Sequence, residues 1–154
     1  MARVQLIMPD DFEKRLASLG RNEDAIAERV LEAGAEVVLP KFKSSLAGSI
    51  GRNTKVESRS TGELLGSLGI SPMDRDSDGN NNVHVGFNEP RRKQYAARGK
   101  RTYSQATNAM IANVLEYGRH GQPAKPFLKS AVKAAQAAAK DAMQAKFLEE
   151  VDKL

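Results

Sequence analysis

The sequence contains no cysteine and no tryptophan. Without cysteine there are no disulfides, thiolate nucleophiles or zinc–thiolate sites, which fits assembly in a reducing compartment. Only two histidines, His84 and His120, are present, so zinc chemistry has almost no residues to draw on. Aromatic residues make up 5% of the chain, and the core must lean on Leu, Ile, Val, Ala and Met. Long apolar runs are also missing. Lys133, Lys140 and Asp141 interrupt the alanine-rich segment, so no window of ~18 apolar residues remains to span a membrane. The apolar stretch Val4 to Met8 is too short for a signal peptide. No serine or acid sits in a nucleophile elbow, a P-loop or a paired-carboxylate setting. The expectation is a non-enzyme with no catalytic residue, no cofactor and no metal site.

What is present describes one domain spanning residues 1–154. A chain of this length buries ~70% of the surface its unfolded form exposes. Hydrophobic residues at 40% and charged residues at 28% fit a globular protein. The net charge of +5 is unevenly distributed. Arg91, Arg92, Lys93, Arg98, Lys100 and Arg101 form a basic loop at about 90–103, and without these six the remainder carries one net negative charge.

Periodicity predicts the elements. Residues 2–8 read as a strand or extended arm. A short helix opens at Pro9-Asp10-Asp11, with Phe12, Leu16 and Leu19 on one face and Gly20 closing it. Asn22 is placed to cap a second helix, with Glu23 and Asp24 favourable at its N-terminus. Ile26, Val30, Ala33 and Val37 continue its stripe, and Pro40 predicts a kink or break before Phe42 and Leu46. That helix should end by about Gly51. Strands are expected at Glu63 to Ile70 and Asn82 to Phe87, with a further one around Thr54 to Arg59. Ser104 can cap a helix lined by Met110, Ile111, Val114 and Leu115. A final helix of roughly 25 residues, ~38 Å long, should bury Leu128, Ala131, Val132, Ala135, Ala138, Ala142 and Leu148. The fold class is α+β: two N-terminal helices, a small antiparallel β-sheet of three or four strands, and a long C-terminal helix packed on the sheet.

Asp74, Asp76, Asp78 and Gly79 match the first half of a calcium loop, but the twelfth position, which needs a bidentate Glu, is Val85. A solvated hairpin loop is the preferred reading. His84 falls in the hairpin strand, and His120 in a turn.

Two short elements are more specific. Leu115-Glu116-Tyr117-Gly118 ends a helix where glycine tolerates the left-handed conformation. Pro123-Ala124-Lys125-Pro126-Phe127-Leu128 follows, with Pro126 suited to the first position of a new helix. Upstream lies Thr61-Gly62-Glu63-Leu64-Leu65-Gly66-Ser67. Together these resemble the E-[FY]-G, P-A-x-P-F-L and T-G-x-L-x-x-S signatures of head–tail connector, neck and tail-completion (minor tail) proteins of tailed bacteriophages and prophages. The chain departs from that pattern in having Arg119-His120 after the glycine and a longer basic stretch between Pro90 and Tyr103.

The resemblance implies a structural virion protein with no chemical turnover. It implies a homo-oligomeric ring, most often a hexamer, at the head–tail junction or the head-proximal end of the tail. Its partners would be neighbouring head-completion and tail proteins, with double-stranded DNA passing through, no membrane, and the host bacterial cytoplasm as the site of assembly. Thr61, Gly62, Leu64, Ser67, Glu116, Tyr117, Gly118, Pro123, Pro126, Phe127 and Leu128 carry the signatures. Residues 91–101, with Tyr95 and Tyr103 nearby, have three readings: solvated loop, subunit contact, or phosphate-neutralising, base-stacking contact. The last would make the chain a nucleic-acid-binding protein, which is the alternative function. Glu116 faces the negative end of its own helix, so Arg119 or a neighbouring protomer is expected to compensate it. Tyr117 reads either as core or as a residue near a subunit boundary.

Overall fold

The computed structural model describes residues 10–52, 62–88 and 107–154, with side chains in the first helix from Lys14 onward. The arm at 2–8, the Phe12 side chain, the strand expected at 54–59, Thr61, the Ser104 cap and the whole basic loop lie outside what is described.

Two long antiparallel helices form the frame. α1 (Asp10–Arg21) leads into α2 (Glu23–Ser49). Gly20 lies inside α1, and Asn22 serves the boundary in an unexpected way. Its amide donates back to the Ser18 carbonyl at 3.1 Å, closing α1, and its side chain makes no cap bond to α2. α2 runs through Pro40 without a break. Pro40 and Glu36 are both exposed, so the carbonyl that proline deprives of a partner faces water.

Residues Glu63–Gly66 form a helical turn, α3, where a strand was expected. Gly62 enters it at φ +77°, and the Ser67 hydroxyl and N–H close it on the carbonyls of Leu64 and Glu63. Only β1 (Leu68–Ile70) is extended. It pairs antiparallel with β4 (Val85–Phe87), Leu68 opposite Phe87. The strand expected over Asn82–Phe87 is divided, because β3 (Asn81–Asn82) pairs with β2 (Asp74–Arg75) in a separate two-stranded ladder. α4 (Asn108–Tyr117) starts at a Thr107 cap, whose hydroxyl oxygen accepts from Met110 N–H at 3.1 Å.

The terminal helix α5 (Leu128–Asp152) has 25 residues, as its pattern predicted. The architecture is α+β. α5's long contact is with α2, which carries the strands on its flank. The core joins Phe42, Leu46, Leu64, Leu68, Ala112, Phe127 and Ala131. Phe42 sits at its centre, its ring 6.2 Å from that of Phe87 and 5.7 Å, edge-on, from that of Phe127.

The buried stripe of α5 differs from the expected one. It runs Ala131, Ala135, Ala139 and Glu150, with Ala142 and Met143 half-buried, whereas Leu128, Val132, Ala138 and Leu148 are exposed. A four-residue rhythm of alanine lets the two backbones approach. At Gly34 on α2 an added Cβ would stand 2.7 Å from the Met143 side chain and 3.8 Å from the Ala139 carbonyl oxygen of α5.

Candidate functional site

The signature residues converge on the junction between α4 and α5. α4 ends at Gly118, whose N–H donates to the Val114 carbonyl at 2.9 Å. Gly118 adopts φ 76°, ψ −179°, a region open only to glycine. A Cβ there would meet the Ala124 nitrogen and the Gln122 carbonyl, each at 2.8 Å. Arg119 and Gln122 then exchange both backbone bonds, at 2.9 and 2.8 Å, making a tight hairpin with His120 and Gly121 at its tip. His120 is exposed there. Lys125 N–H returns to the Leu115 carbonyl at 2.7 Å, satisfying one of the acceptors left open at the end of α4.

Glu116 locks this turn. Its Oε2 accepts from Phe127 N–H at 2.7 Å and from Leu128 N–H at 2.9 Å, capping α5 from eleven residues upstream. The carboxylate thus sits at the positive end of α5, offsetting its unfavourable place at the negative end of α4. The compensation expected from Arg119 is not made, since that guanidinium donates to Gln122 Oε1 at 3.1 Å.

Phe127 is the N-cap residue of α5, so Pro126 stands one position before the cap and outside the helix. Phe127 is 2% exposed, and its carbonyl accepts from the hydroxyls of Ser45 and Ser130 at 2.8 and 2.9 Å. Leu128, Pro123 and Pro126 are exposed. In the upstream signature, Leu64 is buried and Ser67 holds the α3 turn; the Ser67 carbonyl also accepts from Asn88 N–H at 2.7 Å. The fold accounts for Gly62, Leu64, Ser67, Glu116, Gly118 and Phe127 among the described signature residues. Tyr117, like Pro123, Pro126 and Leu128, is exposed, in its case at 74%. Core packing is therefore not its role.

Elsewhere the candidate residues disperse. Asp76 organises the β2–β3 hairpin: Oδ1 accepts from the N–H groups of Asp78 and Asn80 at 3.0 and 2.8 Å, and Oδ2 from the Asn80 amide at 3.1 Å. The Asn80 backbone bond, above all, holds its carboxyl below the usual range. Its oxygens are turned to the loop's own donors. Asp24 is likewise lowered by the Arg75 guanidinium and the Asn81 amide, tying the hairpin to α2. His84 is exposed, its N–H bonded to Ser71 Oγ at 2.9 Å. No cluster of metal-type ligands occurs among the described residues, and no helix there is long and apolar enough to cross a membrane.

Sequence reasoning missed a second node at the far end of the α2–α5 pair. Glu150, 6% exposed, accepts from Arg29 at 2.7 Å, Lys153 at 3.0 Å and Lys146 at 3.3 Å. Its carboxyl is drawn down to about 2, the Lys153 bond leading, with burial opposing and Lys146 and Arg29 adding. The i,i+3 and i,i+4 spacing of its lysines was a legible signal.

No curated protein and no solved structure matches the chain. The model of the family described as "Bacteriophage HK97-gp10, putative tail-component" does match, over residues 10–118. That span takes in the Thr61–Ser67 and Glu116–Gly118 elements and stops before Pro123–Leu128 and α5. Since it covers well over half of the sequence, the chain belongs to the HK97-gp10-like family.

Proposed function

We propose that this protein is a structural component of a tailed-phage virion, forming a closed ring at the head–tail junction or the head-proximal end of the tail. The family match over residues 10–118 carries this reading. The junction supports it. A rigid, carboxylate-capped turn leaves Tyr117 exposed on a well-fixed backbone, as a residue at a subunit boundary would be. The work is mechanical: sealing, joining and passing DNA. In a ring one patch meets a different patch on the next subunit, and closure prevents an open filament. The basic loop at 91–101 then meets the passing duplex or a neighbouring subunit. Electron microscopy and native mass spectrometry, alone and with neighbouring neck and tail components, test the reading. Closed rings are expected, most often sixfold. A strict monomer that joins no head or tail component overturns it.

A further inference from the structure

The outer faces of the two long helices carry opposite charge. On α2, Glu28, Glu32 and Glu36 recur every four residues and are all exposed. On α5, Lys129, Lys133 and Lys140 are exposed in the same way. The sorting extends along the chain: neither Val37 to Arg52 nor Tyr117 to Lys140 contains a carboxylate. Successive helical residues turn by about 100°. Lys129, Lys133 and Lys140 therefore lie about 120–160° from the buried Ala135, and Glu32 and Glu36 about 160° from Gly34, while Glu28 falls on the flank of α2, near the line of the buried Ala35.

The two stripes are also offset along the axis. The helices run antiparallel, with Arg29 on Glu150 at one end and Ser45 beside Ser130 at the other. Glu28 and Glu32 thus lie toward the Glu150 end and Lys129 and Lys133 toward the junction, while Lys140, next to the Ala139 that faces Gly34, stands level with Glu36. No ion pair joins the two stripes within one copy among the described residues. Like charges at i,i+4 weaken a helix, so the lone chain gains nothing from this segregation. Apolar side chains accompany both stripes. Val132 is 51% exposed near the lysines, while Phe147 and Leu148 are 43% and 54% exposed toward the acidic end. Charge around an apolar centre is the composition of an interface.

We propose that the Glu28–Glu36 stripe of one copy docks on the Lys129–Lys140 stripe of the next. The contact joins two different faces of the same chain, which is the head-to-tail geometry that closes into rings. It rests on the ring reading above and names the surfaces that make the ring. At about 12 and 16 Å, by the rise of the helix, the stripes are of comparable length.

Charge reversal tests this on the full chain, by sedimentation and native mass spectrometry at ~0.05 M and ~0.5 M salt, where screening differs severalfold. The wild type should self-associate and loosen at high salt. Glu28→Lys with Glu32→Lys, and separately Lys129→Glu with Lys133→Glu, should each weaken association at least ~tenfold, a change of about 1.4 kcal/mol. An equimolar mixture of the two variants should restore it, because each offers the face the other lacks. The neutral pairs Glu28→Gln with Glu32→Gln and Lys129→Gln with Lys133→Gln should give a smaller loss of the same sign. Circular dichroism confirms folding. Oligomers that survive both reversals overturn this contact and leave the ring reading standing. A wild type that stays monomeric at ~1 mM overturns the self-contact, and only failure to join any neck or tail component overturns the ring reading. If the Lys129, Lys133 variant loses duplex DNA while self-association is unchanged, the stripe is a nucleic-acid contact and the proposal falls.

Discussion

The two ends of the α2–α5 pair are held by different physics. At the junction, Phe127, Phe42, Leu46 and Ala131 exclude water, and neutral or capped groups finish the bonding: Ser45 and Ser130 on the Phe127 carbonyl, Glu116 on two helix N–H groups. At the other end, few side chains are buried, and Arg29, Lys146 and Lys153 surround one carboxylate, that of Glu150. Burial of apolar surface is insensitive to pH and little affected by salt, whereas ion pairs respond to both. The junction is the fixed end of the molecule. The far end is the conditional one.

Removing the apolar anchor should break this contrast most severely. Phe127 is 2% exposed and meets Phe42 at 5.7 Å. Phe127→Ala should cost on the order of 3–5 kcal/mol, as full truncation of a buried ring does. Denaturant unfolding measures it, and a loss below about 1 kcal/mol would put the anchor elsewhere. Next comes Gly118→Ala. Its backbone lies at φ 76°, ψ −179°, worth about 1–3 kcal/mol of strain for any other residue, and a Cβ would also press on Ala124 and Gln122 at 2.8 Å. Those contacts are with backbone and cannot rotate away. Gly62→Ala is the control: it also has positive φ, but open space where the Cβ would go. It should cost less than Gly118→Ala, and equal losses would refute the steric part of the argument.

How far the sequence could announce these ends depends on the range of each interaction. Phe42, Leu46 and Phe127 were legible as core or anchor because burial follows from side-chain type and spacing. The phase of α5 was not legible. Alanine occupies Ala131, Ala134, Ala135, Ala137, Ala138 and Ala139, so several faces of that stretch look equally apolar. The seam is chosen by a partner, the close approach at Gly34, which no pattern within α5 contains. The turn at Glu63–Gly66 fits a strand pattern because Leu64 and Leu65 suit either state, and local bonds from Ser67 decide for the turn. The role of Glu116 was hidden because its partners are backbone groups, which carry no sequence signal. Arg29 and Glu150 are 121 residues apart, beyond any local periodicity.

Glu116 permits a smaller and sharper test of the fixed end. Glu116→Ala should remove the cap of α5 and cost about 0.5–2 kcal/mol. Glu116→Gln keeps an acceptor and loses the charge at the helix end, so it should fall between wild type and alanine. Calorimetric midpoints of the three proteins give the order. If glutamine were as damaging as alanine, the interaction with the helix dipole would dominate over the hydrogen bonds themselves.

The smallest effect is on the conditional end, and its sign follows from Glu150. In the folded chain its carboxyl is drawn down to about 2, while unfolded it returns to an ordinary value near 4.5. Between those values the unfolded chain binds the more protons, so acid favours unfolding. The stabilisation from this group is complete above about pH 4.5 and declines as pH falls toward 2. Glu149, Asp24 and Asp76 are lowered as well and add to the same limb. Lys153 is raised by Glu149 and Glu150, so its own contribution is present at neutral pH and lost as pH climbs beyond its ordinary 10.5. Glu150→Gln should therefore make the acid limb of the thermal midpoint shallower and also blunt the alkaline fall. Phe127→Ala should lower the midpoint at every pH and leave the shape of the curve unchanged. A Glu150→Gln profile parallel to wild type from pH 2 to 5 would show that the charge cluster is a solvated surface, and the difference between the two ends would then be one of apolar burial alone.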